Sequence, residues 1–214
     1  MKRLILVLPL VVLGALAGTP SRFEVPAEAI RASVIQDPAL MERAWRLPVA
    51  SSFSRTLAWQ SNGSRCGPAS VANVYRSLGE KAQSENEVLA DTGKCRTGYC
   101  IFGLNLDDLA EVTQRHTGRK VTVLRNLTSE QFREHMRNAN RPDRRYIINF
   151  DRKSLFGAGF GHFSPVGGYL ESEDLVFVLD TNRRFHPWLV ERARLFSAMD
   201  TFDGERKRGL LLIE

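Results

Sequence analysis

The apolar positions of this chain first fall at helical spacing. Ala69, Val71, Ala72, Val74 and Leu78 form a run that opens near Cys66, carries Pro68 in its first turn and meets Gly79 where a helix would stop. Upstream, Asp37-Pro38 reads as a cap and a first-turn proline for a short helix with Leu40, Met41, Ala44 and Trp45 on its apolar side. Downstream, Ser84 and Glu87 have capping-box spacing ahead of Val88 and Leu89. Leu106, Leu109, Ala110 and Thr113 share one face of a helix within 104–116, and Gly118 can end it. Thr128 with Gln131 forms another capping box, stapled by Leu127 against Phe132. Residues 47–58 read as loop or extended chain, and 120–124 as a short β-branched strand.

The pattern changes at Tyr146. Residues 146–150, 162–170, 175–179 and 209–213 read as strands, several separated by glycine or acidic turns, with a helix over 190–199 carrying Leu195, Phe196 and Met199. Helices first and an antiparallel sheet afterwards predict an α+β protein, its helical N-terminal half packed on the sheet of its C-terminal half. No internal repeat divides residues 37–214, which read as one catalytic domain. Residues 18–36, with Pro20 and Pro26 and no clear period, read as an irregular N-terminal segment.

The first 17 residues change the picture of location. Lys2 and Arg3 precede an apolar run from Leu4 to Leu13, and Ala15-Leu16-Ala17 offers a small-residue cleavage site. That is a signal-peptide pattern, too short for a comfortable membrane span, so the protein is expected to be exported to a periplasm or beyond the cell without a stable membrane anchor. The 214-residue chain has formal net charge +6; beyond residue 17 it carries 28 basic against 24 acidic residues, +4. That excess is scattered through sites such as Arg141, Arg144 and Arg145, which argues against nucleic-acid binding and suits a small anionic substrate. Of three cysteines, Cys95 and Cys100 are near enough to pair, which would leave Cys66 as the free thiol. Cys95 and Cys100 with His116 make a poor zinc pattern, so no metal site is expected; His116, His135 and His186 read as structural.

Two stretches carry candidate chemistry. Cys66 opens its helix, where the positive end of the dipole favours the nucleophilic thiolate. Gln60, six residues upstream, is placed to fold its amide back as an oxyanion donor. The second stretch runs from Gly157 through Gly161-His162-Phe163-Ser164-Pro165-Val166-Gly167-Gly168-Tyr169. His162 begins a strand after a glycine-rich loop, and Asp180 stands at the far end of the next strand. In a hairpin the carboxylate would accept from one ring nitrogen while the other faces Cys66, the arrangement of a nucleophile, its base and the group that orients the base. Asp180→Asn is accordingly expected to damage activity with little loss of folding. Gly161 and Ser164 are expected beside the substrate, and Arg152 and Arg183, each near a catalytic strand, to fork onto a substrate carboxylate.

Gln60-x5-Cys66-Gly67, Gly161 to Tyr169, and Leu179-Asp180-Thr181-Asn182-Arg183 with Pro187 and Trp188 resemble the catalytic domain of phytochelatin synthases. The stretches Ala198 to Asp203 and Arg208 to Ile213 resemble the end of that domain. The likeness runs from about Asp37 and is strongest from Tyr146 to Glu214; Cys95 and Cys100 inherit no role from it. It implies a papain-like cysteine fold and transfer of γ-glutamylcysteine from glutathione through a thioester on Cys66. The acceptor is water, giving γ-glutamylcysteine, or a second glutathione, giving a phytochelatin, with hydrolysis ranked first. No tightly bound cofactor is implied; cadmium or zinc would enter as a glutathione thiolate complex in metal detoxification. Self-association into a homodimer is left open. Two competing expectations are an exported peptidase of the kind that removes double-glycine leader peptides, and a non-catalytic protein that binds glutathione or metal thiolates.

Overall fold

Side-chain caps fix where the helices begin. The computed structural model describes residues 24–95, 100 and 103–214, so the signal-peptide expectation lies outside the described residues. Asp37 accepts from the Leu40 amide to open α2 (Pro38–Trp45), and Ser84 accepts from the Glu87 amide to open α4 (Glu85–Leu89). Asn105 accepts from two amides to open α5 (Leu106–Arg115), and Thr128 and Gln131 complete a reciprocal capping box on α6 (Ser129–Asn138). Between them runs α3 (Cys66–Leu78), which ends in Gly79 at φ 70°, a left-handed turn that glycine enters at no steric cost.

Three helical expectations shift. Part of the segment read as irregular forms α1 (Ala27–Ser33) behind Pro26, with Val25 and Ile30 buried and Ile35 bridged to Leu189, so its described part packs into the domain. α5 ends at Arg115 with His116 as its cap, two residues before Gly118. The expected 190–199 helix starts later, as α8 (Arg192–Met199), because Trp188–Glu191 is claimed by strand pairing. A short α7 (Arg152–Phe156), capped by Asp151 and closed by Gly157 at φ 79°, was not foreseen.

The strands are β1 (Val121–Leu124), β2 (Arg145–Asp151), β3 (Gly161–Leu170), β4 (Leu175–Val178), β5 (Trp188–Glu191), β6 (Phe202–Asp203), β7 (Arg206–Lys207) and β8 (Leu210–Ile213). Six form an antiparallel sheet in the order β1-β8-β2-β3-β4-β5, while β6 and β7 pair separately. Alternation of side chains sends each strand's residues to two different cores. Ile147, Phe163, Phe177, Leu179 and Leu211 meet the buried faces of α2, α3, α4 and α5. Tyr146, Ile148, Phe150, Val178 and Trp188 meet those of α1, α6, α7 and α8 on the other side. The sheet is therefore the middle of three layers. Each large apolar side chain sealed in this way contributes roughly 1.5–3 kcal/mol. Among the described residues no helix is long and apolar enough to cross a membrane.

Candidate active site

Cys66 is the first residue of α3, and α3 lies against β3, which carries His162 as its second residue. The end of the sheet and the start of the helix thereby bring Cys66 and His162 together, both buried. β3 and β4 pair as a hairpin, and Asp180 follows β4 by two residues, fully buried. His162 Nε2 lies 3.0 Å from Asp180 Oδ1, which leaves Nδ1 for the sulfur. Phe150 stands edge-on to the His162 ring at 5.6 Å and walls off one side.

Charges in this buried set act on one another. Burial alone would push the Cys66 thiol up, but the His162 charge and hydrogen bond, the Phe163 amide and the Arg152 charge outweigh it and bring the thiol below its ordinary value. Burial and Arg152 oppose protonation of His162, yet the carboxylate of Asp180 and the sulfur of Cys66 carry it above its ordinary value. Burial likewise disfavours the charged form of Asp180, and Arg152 with His162 overcomes this to hold it well below the usual carboxylate range. The arrangement favours a thiolate–imidazolium pair over a neutral thiol and imidazole.

Asp180 is also a structural hub. It accepts from Arg152 Nη2 at 2.8 and 2.7 Å, from the Asn182 amide at 2.9 Å and from the Trp188 indole at 3.2 Å. Arg152 is itself buried and stacked 3.7 Å from the Phe185 ring centroid. Its guanidinium thus sits on the catalytic-strand carboxylate, not in position to fork onto a substrate. Arg183 is exposed and lies outside both clefts described below; the neighbouring Arg184 lines one of them. Ser164 is sealed in β3, its hydroxyl without a partner, and touches neither cleft.

Gln60 is tied to the same region by its backbone, whose amide donates to the Thr181 carbonyl at 2.9 Å. Its side-chain nitrogen donates to the Asn62 carbonyl at 2.9 Å and keeps a second hydrogen, while Oε1 is buried without a partner. Cys95 and Cys100 are joined in a disulfide, and Cys66 is the free cysteine. The Cys100 amide donates to Ser64 Oγ at 3.1 Å, which ties the disulfide loop to the turn just before Cys66.

Two clefts meet at this point and share Gly63, Phe160 and Gly161. One, of about 400 Å³, contains Cys66, Phe163, Asn149, Asp203 and Arg208. The other, of about 230 Å³, contains His162, Gln60, Asn182, Arg152, Arg184 and Glu24. Asp203 and Arg208 were not foreseen as site residues. The Asp203-Gly204 pair, a hairpin-turn signal, could have pointed to them, because it folds β6 onto β7 and brings the two side chains within 3.3 Å. Asn149 Nδ2 donates to Asp203 from β2 of the main sheet. Gly161 lets Arg208 lie close against the strand: a Cβ there would stand 2.7 Å from Arg208 Nη2 and push the guanidinium aside. Among the described residues no group of three or more His, Cys, Asp or Glu side chains is placed to hold a metal ion.

Known proteins resemble this chain to different degrees. Glutathione gamma-glutamylcysteinyltransferase 2 of Arabidopsis thaliana is 35% identical over 103 residues, 45% of this chain and 23% of that protein. Glutathione gamma-glutamylcysteinyltransferase 1 of Lotus japonicus is 27% identical over 217 residues, 93% of this chain and 43% of that protein. The chain thus spans less than half the length of these curated relatives. The peptidase domain of Streptococcus ComA, a bi-functional ABC transporter involved in a quorum sensing pathway, superposes with TM-score 0.52 at 14% identity, over 74% of this chain and 96% of that one. That likeness is one of fold, and the fold is papain-like. The family model for phytochelatin synthase matches residues 21–210, a span that holds the Cys66 helix, the His162–Asp180 hairpin and the Asp203–Arg208 pair, and the chain belongs to the phytochelatin synthase family.

Proposed function

We propose that the protein is a glutathione γ-glutamylcysteinyltransferase-type thiol enzyme in which Cys66, His162 and Asp180 do the covalent work. The Cys66 thiolate attacks the carbonyl that joins cysteine to glycine; the C–N bond breaks, the leaving glycine nitrogen takes the His162 proton, and a γ-glutamylcysteinyl thioester remains. Water or the amine of a second glutathione then attacks the same carbon. Its proton passes to His162, the C–S bond breaks and the thiolate is restored. Asp180 orients the imidazole and stabilises its charge, and Gln60 donates its spare amide hydrogen to the oxyanion.

The observation that carries this reading is the Asp203–Arg208 pair in the cleft that holds Cys66. The γ-glutamyl end of glutathione presents a free α-amine and a free α-carboxylate, which an acid and an arginine side by side complement. An ordinary peptide would run on as an uncharged backbone at that place, so this pair favours glutathione over a leader peptide. The Cys66 side of the cleft takes the acyl group. The His162 side takes glycine, because a general acid must reach the nitrogen it protonates.

We rank hydrolysis to γ-glutamylcysteine ahead of chain elongation. Cadmium or zinc enters, on this proposal, as part of the substrate thiolate, and the apolar N-terminus marks the protein for export. The test is incubation of the purified protein with glutathione, with and without cadmium or zinc, and separation of products by mass. Glycine and γ-glutamylcysteine, with or without longer thiol peptides, are expected from the native protein and none from Cys66→Ser. No product while Cys66 is demonstrably reduced would overturn the reading in favour of the peptidase or binding alternatives.

A further inference from the structure

The His162 side of the cleft has an N-terminal wall. Glu24 and Val25 line it, and Val25 is buried, with its Cγ2 only 3.0 Å from where a Gly159 Cβ would stand. This wall is fixed from behind. Ile35 pairs with Leu189 through both backbone bonds, and Gln36 donates to the carbonyls of Phe185 and Pro187 at 2.9 and 3.1 Å. The segment is thereby clamped to the loop that carries Asp180, Asn182 and Arg184.

Two arginines line this cleft, and they differ in what holds them. Arg152 is buried on Asp180 and stacked on Phe185, so its charge is committed. Arg184 is close to half exposed, and its partners are the Glu24 carboxylate and, at 3.2 Å, the Val25 carbonyl. An exposed pair of this kind is held by little net free energy and yields readily to another carboxylate. The leaving glycine and the γ-glutamyl end of an accepting glutathione each carry a carboxylate one carbon from the nitrogen that reacts, and each brings it to the His162 side.

We propose that Arg184 is the carboxylate anchor of the leaving-group side and that Glu24 is its internal competitor. The pair then sets how the thioester is shared between water and an incoming peptide. The inference rests on the glutathione reading above. With Arg184 held by Glu24, the departing glycine is weakly retained and solvent reaches the thioester. With Arg184 released, an amine whose molecule carries a carboxylate is held long enough for its nitrogen to attack.

The experiment compares native protein, Glu24→Gln and Arg184→Gln with glutathione as substrate, and adds glycine or glycinamide as a competing ligand that differs in the carboxylate. Glu24→Gln is expected to raise the ratio of transfer to hydrolysis by about two- to fivefold and to tighten glycine inhibition by a similar factor. Arg184→Gln is expected to raise the KM of the acceptor roughly five- to tenfold, more than it lowers kcat, and to abolish the preference for glycine over glycinamide. Arg184→Lys should restore part of that preference, which a merely structural arginine would not do. A native protein that releases no glycine sinks the glutathione reading and this inference with it. A native protein that turns over but treats glycine and glycinamide alike, or variants with unchanged product ratios, overturns this inference alone.

Discussion

At the scale of single residues, Asp180 departs most from expectation. The sequence pattern assigns it one task, orienting His162, from which Asp180→Asn should cost activity and little stability. In the structure the same carboxylate neutralises the buried Arg152 guanidinium, so the amide would leave an uncompensated buried charge. Loss of one partner from such a pair typically costs about 3–5 kcal/mol, and Asp180→Asn is expected to lower stability on that scale in a urea titration as well as activity. A variant as stable as the native protein would contradict the hub role. Gln60→Ala, by contrast, should lower turnover by roughly a hundredfold or more if its amide meets the oxyanion, and unchanged turnover would remove it from the mechanism. The pH profile follows from the two catalytic shifts. With the Cys66 thiol lowered and His162 raised, kcat/KM should rise as Cys66 ionises below the ordinary thiol range. It should then fall when pH passes the raised value of His162 and the proton for glycine is lost. Alkylation of Cys66 followed against pH checks the rising limb, and labelling confined to alkaline solution would refute the ion pair.

At the scale of elements, glycine placement explains how close the strands come to their neighbours. Gly209 leads into β8, and a Cβ there would lie 2.1 Å from the Leu124 carbonyl oxygen, a backbone atom with no rotamer to give way. Gly209 also accepts from the Asn149 amide at 2.9 Å, so its position is fixed from both sides. Gly209→Ala should therefore cost about 1–3 kcal/mol, read as a lower urea midpoint with an unchanged slope. An unaltered midpoint would show that β8 can shift away from β1 at no cost. The helices were legible because their signals are local: a cap and the amide it accepts from are two or three residues apart, as at Asp37, Ser84 and Thr128. α1 and α7 were not, since a turn or two of helix holds too few apolar positions to show a period. Their stability comes from burying Ile30, Leu155 and Phe156 in the second core.

At the scale of the whole molecule, the sheet is common property of two cores. Because alternate residues of β2, β3 and β4 face opposite layers, neither core can open without exposing the other face of the same strands. Thermal unfolding is expected to be a single transition, with near-ultraviolet signal from Trp45 in one core and Trp188 in the other coinciding with loss of backbone signal. Two separated transitions would mean the layers melt independently. By itself the sequence determined the Cys66 helix start, the longer helices and strands, and the hairpin that carries His162 and Asp180. These depend on side chains meeting backbone within a turn, or on strands adjacent in the chain. Only the tertiary structure decided that Arg152 belongs to Asp180, that Asp203 and Arg208 line the Cys66 cleft, and that Glu24 lies against Arg184 across 160 residues. Those contacts join segments distant in the chain. No local period or spacing encodes them, because they exist only once the sheet and its layers have brought the segments together.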